Sequence, residues 1–521
     1  MHHDVVVIGA GHNGLVAATL LARAGLDVRV VEERDVVGGA ARTETPFAKV
    51  PGLRQSTGAW LLGLMPPELI RLLGVDIPLL RRDPHSFVAT TGETYLSIGA
   101  DTDAAHRQLE RFFSPADLRA DQALQAELAA LRDDLAPAWL AEPLTIEDTA
   151  ERYIRPALQQ IFVDLCRGSV TAYLDRFGFA SELLQAMYVV TDALIGANAG
   201  PDSPGTGHNF LCHNMCRLPG SGGTWMIVRG GMGTVTSMLA DAARSAGATV
   251  STGARVDAVR VHGGDAAGVV LADGRELGAR VVLGCCDPFR LHALLGDAAP
   301  PELTERVERI RRPGTTLKVN LALRDLPHLR CQPDRAPNPF RATVHLLPEQ
   351  QPLAALRAMW DDVRAGRLPD EPPIEWYVHT TVDDSLRDEA GHHSSALFVQ
   401  SVPYALADGS WDDALPGYVD RLLTLCDRYA PGTSSLVADV FALPPPGIEE
   451  HFGITGGHIL HVDNTIAFAD RMPYATGVPG VYAGSAGCHP AGSVIGAAGH
   501  NAAARILTDL GLPHPSPRPN V

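Results

Sequence analysis

Residues 4–35, DVVVIGAGHNGLVAATLLARAGLDVRVVEERD, leave this chain few folds to choose from. Asp4 to Ile8 is an unbroken apolar run with β-branched residues, the pattern of a strand buried on both faces. Gly9, Gly11 and Gly14 follow as G-x-G-x-x-G. Leu15, Ala18, Leu21 and Ala22 then recur at helical spacing, Gly25 closes the helix, and Val28 to Val31 reads as a second strand. Glu32 stands 18 residues after Gly14. In a dinucleotide-binding turn, Gly9 permits the tight bend, Gly11 lets a pyrophosphate approach the backbone, and Gly14 lets helix and strand pack closely. The helix N-terminus offers free N–H groups to the anion, with Asn13 in the same turn, and Glu32 is placed to accept from ribose hydroxyls. Glu33 is the alternative acid.

The next residues choose between nucleotides. RDVVGGAARTETPF sets Gly38 and Gly39 just past the second strand, with Arg42 after them. This resembles the R-x-x-x-GG segment of FAD oxidoreductases in the amine oxidase and phytoene desaturase superfamily. The resemblance implies non-covalent FAD, with the glycine pair lining pyrophosphate and flavin. Ala40 occupies a position where many amine oxidases carry arginine, which favours the desaturase side. Arg42 is read either as a phosphate contact or as an ordinary surface arginine. Residues 40–60 hold no cysteine, which argues against a disulfide reductase. Val228 to Val250 lacks the preceding buried strand and the closing acid of a second nucleotide fold.

At 521 residues, two or more domains are expected, and a formal charge of −17 argues against nucleic acid and against strong attraction to anionic membranes. No signal segment is read before the first strand and no long apolar run follows, so a cytoplasmic protein is expected, at most peripheral at a membrane. The eight cysteines have no framework spacing and read as reduced thiols. LCHNMC, Cys212 to Cys216, lacks a second ligand cluster, so no metal is expected. Cys285 and Cys286 read as two small buried side chains.

The expected class is α/β: a Rossmann-like FAD-binding domain with a discontinuous α+β substrate domain. Residues 1–75, 220–300 and 450–512 are assigned to the first, residues 76–219 and 301–449 to the second, and 513–521 to a flexible tail. Residues 254–285, after a short strand at Ala248 to Ser251, look like a three-stranded meander returning to the FAD domain, with Val256 placed to contact adenine through its backbone. Amphipathic helices are expected at Asp103 to Phe113, Pro115 to Leu135, Thr145 to Cys166 and Phe179 to Ile195, and a strand at GGHILHVD.

Near the C-terminus, GSAGCHPAGSVIGAAGHNAA lies between a strand-like GVYAG and a helix. Bare backbone there is expected to let N–H groups approach the flavin ring and ribitol. This segment resembles the C-terminal motif of carotenoid desaturase-type flavoproteins, and particularly that of the pyridine nucleotide-disulfide oxidoreductase domain-containing protein 2 family. DALIGANAGPDSPGTGHNFLCH, GTWMIVRGGMG and FGITGGHILHVD are similar to segments of the same family. The resemblance adds Gly484, Ser485, Pro490, Gly492, Val494 and Ile495 to the cofactor contacts; Ser485 stands where many superfamily members carry an acid.

The implied reaction moves a hydride between a substrate C–H bond, on a small apolar or conjugated molecule, and flavin N5. Oxygen or a quinone is the expected electron acceptor. His489, His461 with Asp463, and His213 are the candidates for the proton, each also readable as an ordinary buried histidine or carboxylate. Trp225 is a candidate substrate wall. Dehydrogenation, isomerisation or saturation on the same cofactor, and a non-enzymatic FAD-retaining role all remain compatible with these motifs.

Overall fold

Strand His2–Ile8 enters the core with Val5, Val6 and Val7 fully buried, which is what its unbroken apolar run requires. The computed structural model describes residues 2–332 and 338–515. The expected tail therefore falls, over residues 516–521, outside the described residues. His2–Ile8 lies between Val28–Val31 and Glu276–Gly284, parallel to both; Thr249–Ser251 extends the sheet beyond the former and Val481–Ala483 beyond the latter, again parallel. Glu276–Gly284 is nine residues long and, besides His2–Ile8, serves two further neighbours. Its start pairs antiparallel with Asp265–Leu271 in a meander that includes Val256–His262, and its end pairs with Val481–Ala483. Helices His12–Arg23, Gly233–Ser245 and Ala497–Asp509 pack together on this sheet, so the two ends of the chain meet.

The second sheet runs Val437–Leu443, Leu317–Leu323, His393–Val399, Ile374–Val378, Thr343–Leu346, Ser86–Ala89, Tyr95–Ile98. Side chains alternate across it. Leu317, Val319, Leu321, Val344, Leu346, Ile374, Trp376, Leu397 and Val399 join one apolar core with Tyr418, Leu422, Cys426 and Tyr429 of helix Trp411–Tyr429. The opposite face carries Lys318, Asn320, Thr343, His345, Glu375 and Tyr377, all buried. A polar sheet face normally meets solvent; here Lys318, Thr343, His345, Glu375 and Tyr377 line a cavity.

Three expected elements differ. Thr145 to Cys166 is two helices, Ile146–Tyr153 and Gln159–Arg167, because Pro156 between them has no N–H to continue the ladder. The helix expected from Phe179 spans Glu182–Tyr188 and widens into a π-turn at Val189–Ala193. GGHILHVD forms turns, not a strand, with His461 held at φ 60. Among the described residues, no helix is long and apolar enough to cross a membrane.

Candidate active site

A cavity of about 1080 Å³ runs between the two sheets. At one end its wall is the glycine turn. Gly9 takes φ +100, and a Cβ on Gly14 would lie 2.1 Å from the Gly9 carbonyl oxygen, so helix and strand could not close on any larger residue. Gly38 N–H donates to the Ala10 carbonyl at 2.9 Å, and Gly39 lies against the Gly11 Cα, which stacks the second glycine pair on the first. A Cβ on Gly11 would meet nothing within 4 Å. Helix His12–Arg23 starts at Gly11 with no side-chain cap and no acid in its first turn. Its free N–H groups and dipole suit an anion.

Glu32 is buried and oriented by two backbone donors, Ala10 N–H to Oε2 at 2.8 Å and Arg34 N–H to Oε1 at 3.0 Å. Glu33 instead pairs with Arg290 at 2.9 Å. Val256 begins the meander strand and lines the cavity, as do Gly38, Gly39, Asn13, Cys285 and Cys286. Two buried ring nitrogens there have no partner, Nε2 of His12 and Nδ1 of His461. Burial, then the neighbouring His461, lowers His12 to about 4, and burial likewise lowers His461. An uncapped helix end, a backbone cradle, an oriented acid and unsatisfied ring nitrogens fit an adenine dinucleotide, and the cavity beyond has room for the flavin half.

The C-terminal glycines meet protein. A Cβ on Gly484 would contact Ala502 and Leu283, one on Gly492 would lie 2.3 Å from the Leu460 carbonyl, and one on Gly499 2.0 Å from that of Asn13. The bare backbone thus serves close approach of chain to chain, and the cavity wall from this segment is Ala486, Ser493 and Val494. Ser485, Pro490 and Ile495 are buried behind it, with Ser485 Oγ accepting from Gly487 N–H at 3.1 Å. Gly492 N–H donates to Asn464 Oδ1 at 2.7 Å, and Asn13 Oδ1 accepts from Gly499 N–H at 3.3 Å. Arg471, fully buried, ties the region together by donating to the carbonyls of Val462, Asp463, Ile466, Ala486 and Cys488.

The expected proton-handling residues separate. His461 lines the cavity, and so does His213, whose ring lies 4.9 Å from that of Trp225 and whose Nδ1 is 3.7 Å from Asp192. His489 is turned into the core: Nε2 donates to the Ala138 carbonyl at 2.9 Å and burial lowers it to about 4. Asp463 is equally interior, accepting from Asn198 N–H at 2.7 Å and Thr465 N–H at 2.8 Å. It is held at about 2, since His458 and these N–H groups outweigh the effect of burial. Arg42 is neither exposed nor on the cavity wall; it is buried beside Glu44 at 3.0 Å with Phe452 under its guanidinium.

Residues not singled out from the sequence supply the other end. Lys318, Phe398, Glu375 and His345 form one row across four strands, each paired with the next by register. Lys318 Nζ sits 4.0 Å over Trp60 and 4.3 Å over Phe398. Burial lowers it to about 7 against the pull of Glu375. Glu375 accepts from Tyr377 Oη at 2.5 Å and Gln400 Nε2 at 3.2 Å, yet burial raises it to about 8. Both groups line the same cavity as Gly11. Burial thus brings two ionisable groups on one cavity wall towards the same near-neutral pH from opposite sides.

Comparison with known proteins agrees with this geometry. The family described as flavin containing amine oxidoreductase matches residues 14–397. Pyridine nucleotide-disulfide oxidoreductase domain-containing protein 2 of Mus musculus is 32% identical, over 98% of this chain and 94% of its own. A limonene dehydrogenase component of Castellaniella defragrans is 24% identical over 98% and 95%. In fold, an oxidoreductase from Methanosarcina mazei superposes with a TM-score of 0.63 at 17% identity, over 98% of this chain and 100% of its own. The chain belongs to the flavin-containing amine oxidoreductase family, among the relatives of pyridine nucleotide-disulfide oxidoreductase domain-containing protein 2, and is an FAD-dependent oxidoreductase.

Proposed function

We propose that this protein is a dehydrogenase that removes a hydride from a C–H bond of a small molecule lying on the polar face of the second sheet. The reading rests on one observation: a single cavity joins the glycine turn at Gly11 to the row Lys318–Phe398–Glu375–His345. Gly9, Gly11, Asn13, Gly38 and Gly39 hold the pyrophosphate, Glu32 the adenosine ribose, and Val256 the adenine. Ala486, Ser493, Val494 and His461 close on the other half of the cofactor. Bound FAD supplies the hydride acceptor.

Lys318 takes the second proton at Nζ. With its ammonium brought down to about 7, half of it is neutral near pH 7, where an unperturbed lysine would be almost wholly charged. Glu375, protonated up to about 8, presents a neutral carboxyl that Tyr377 and Gln400 fix in place. Trp60, Phe398 and Trp225 exclude water around the reacting bond, and electrons leave to oxygen or a quinone. The likeness to a limonene dehydrogenase component supports dehydrogenation at carbon. The test is anaerobic titration of the flavin-loaded protein with C–H and amine substrates. Bleaching of the visible absorption by the former supports the reading. Bleaching by amines alone, or by dithionite alone, overturns it.

A further inference from the structure

In a chain of net charge −17, three arginines share one stretch of the cavity wall. Arg81 is exposed, Arg132 half-buried and Arg82 buried, at 5% exposure. Arg81 and Arg132 flank the turn at Gly222 and Gly223: a Cβ on Gly222 would lie 3.1 Å from Arg81 Nη2, and one on Gly223 3.2 Å from Arg132 Nη1. Arg132 Nε donates to the Asn214 carbonyl at 2.5 Å. Arg82 donates from Nε to the Trp225 carbonyl at 3.1 Å and from Nη1 to Thr343 Oγ1 at 2.6 Å. Among the described residues, none of the three forms an ion pair. The carboxylates on the same wall hydrogen-bond elsewhere or not at all: Asp121 accepts from Tyr188, Asp192 lies 3.7 Å from His213 Nδ1, and Glu375, bonded to Tyr377 and Gln400, reaches Arg82 only through its field and makes no hydrogen bond to it.

A guanidinium shut away from water without an anion is costly, and chains seldom keep one unless something binds it. Beside Arg82, His85 and His345 each bury an Nδ1 that has no partner. Burial and then the Arg82 charge lower these rings to about 4 and about 3, so they stay neutral and add no second cation. The polar seat is therefore one net positive charge deep, with a hydroxyl and two imidazole nitrogens around it. Leu96, Ile98, Leu184 and Met187 give the rest of the wall an apolar surface.

We propose that the substrate is an apolar molecule bearing one carboxylate, which seats on Arg82 and Thr343 while its body lies along Leu96, Ile98, Leu184 and Met187. Arg81 and Arg132 draw the anion in from the exposed side. A guanidinium–carboxylate pair at a buried arginine is among the stronger polar contacts a protein makes. This assignment rests on reading the cavity as the substrate chamber of the proposed dehydrogenase.

The experiment is calorimetric binding to the flavin-loaded protein of decanoate and benzoate, each against its amide, with inorganic phosphate as a third arm. The acids are expected to bind at least about tenfold more tightly than the amides. Arg82→Met should erase that difference, Arg82→Lys should keep part of it, and neither should change flavin content. Equal affinity for acid and amide in the unaltered protein overturns the proposal, and that comparison needs no variant to fold. Phosphate binding as tightly as the acids also overturns it, by showing a general anion site. Acids that bind through Arg82, in a protein whose flavin only amines or dithionite bleach, would leave the carboxylate seat standing and remove the dehydrogenase reading. Neutral compounds that bleach while acids fail to bind would do the reverse.

Discussion

Lys318 and Glu375 stand on either side of Phe398 in one cross-strand row, a base and an acid brought towards the same pH from opposite directions. Burial disfavours the charged form of each, so the amine loses its proton more easily and the carboxyl holds its own longer. If neutral Lys318 takes the proton, the rate of flavin reduction rises with pH through about 7. If protonated Glu375 is needed, it falls again above about 8. A bell with limbs close together is expected from stopped-flow reduction across pH, its two midpoints belonging to the pair and not to either residue alone. Lys318→Met should remove the lower limb and cost at least about a hundredfold in rate. Glu375→Gln should remove the upper limb.

The same pair sets a stability minimum. Glu375 is raised from 4.5 to about 8 in the folded state, so its contribution is full below 4.5 and is lost as pH climbs to about 8. Lys318 is lowered from 10.5 to about 7, so the folded state binds its proton less tightly than the unfolded chain. Stability from this group is regained only as pH rises from about 7 to 10.5. The two slopes, each up to about 1.4 kcal/mol per pH unit, oppose one another and leave a dip between pH 7 and 8. Thermal melts of the unaltered protein and of the Lys318→Met/Glu375→Gln double variant check this. Their difference in Tm should be greatest in that window and shrink on both sides.

Glu32 carries a prediction for the cofactor end. Its carboxylate is already oriented by Ala10 and Arg34, so Glu32→Gln keeps the shape but loses the charge and sets an NH2 donor against one of the two backbone N–H groups. FAD affinity, read by flavin fluorescence titration, is expected to fall about tenfold, the worth of one charge-assisted hydrogen bond. Glu32→Ala should also lower Tm, since two buried N–H groups then lack an acceptor.

The cofactor end was legible because its information is local. Strand, glycines, helix and acid lie within residues 4–32, and the steric demand is plain at Gly9, with its positive φ, and at Gly14, packed on the Gly9 carbonyl. The end proposed to hold the substrate was not legible, because Lys318, Phe398, Glu375 and His345 become neighbours only through the register of four strands. A signal did exist: the chain has two lysines, and one interrupts the apolar run TTLKVNLAL, as Glu375 interrupts PPIEWYV. A charged residue on the alternating face of an otherwise buried strand points to a lined chamber. The C-terminal glycines show the opposite limit. Glycine announces that something comes close without saying what, and at Gly484, Gly492 and Gly499 it is Ala502, Leu460 and Asn13. His489 looked chemical for the same reason, by standing among them.

His489 therefore gives a contrast with Lys318. Its Nε2 donates to the Ala138 carbonyl and its ring packs 5.7 Å from that of Phe468. Replacing it with leucine removes the donor and leaves that carbonyl unsatisfied, at a cost of about 1–3 kcal/mol. Tm should fall, while the pH dependence of flavin reduction keeps both limbs. Loss of a limb would make His489 a proton carrier after all.

Gly499 is the sharpest test of how the chain ends close the cofactor site. Its N–H donates to Asn13 Oδ1, and a Cβ there would sit 2.0 Å from the Asn13 carbonyl oxygen. That atom belongs to the first turn of helix His12–Arg23, so the clash cannot be relieved by rotating a side chain. Helix Ala497–Asp509 must move off, and Asn13 must let go of the helix end it caps. Because Asn13 also lines the cavity, the shift reaches the pyrophosphate turn. Gly499→Ala should destabilise the fold by an amount typical of overpacking, about 1–3 kcal/mol, seen as a lower Tm, and weaken FAD binding with it. Gly25→Ala serves as the control: a Cβ there meets nothing within 4 Å, and its φ of +88 strains the backbone far from the wall. It should lower Tm and leave flavin affinity unchanged, so a parallel loss of flavin in both variants would mean that affinity follows global stability and not the contact between the two ends.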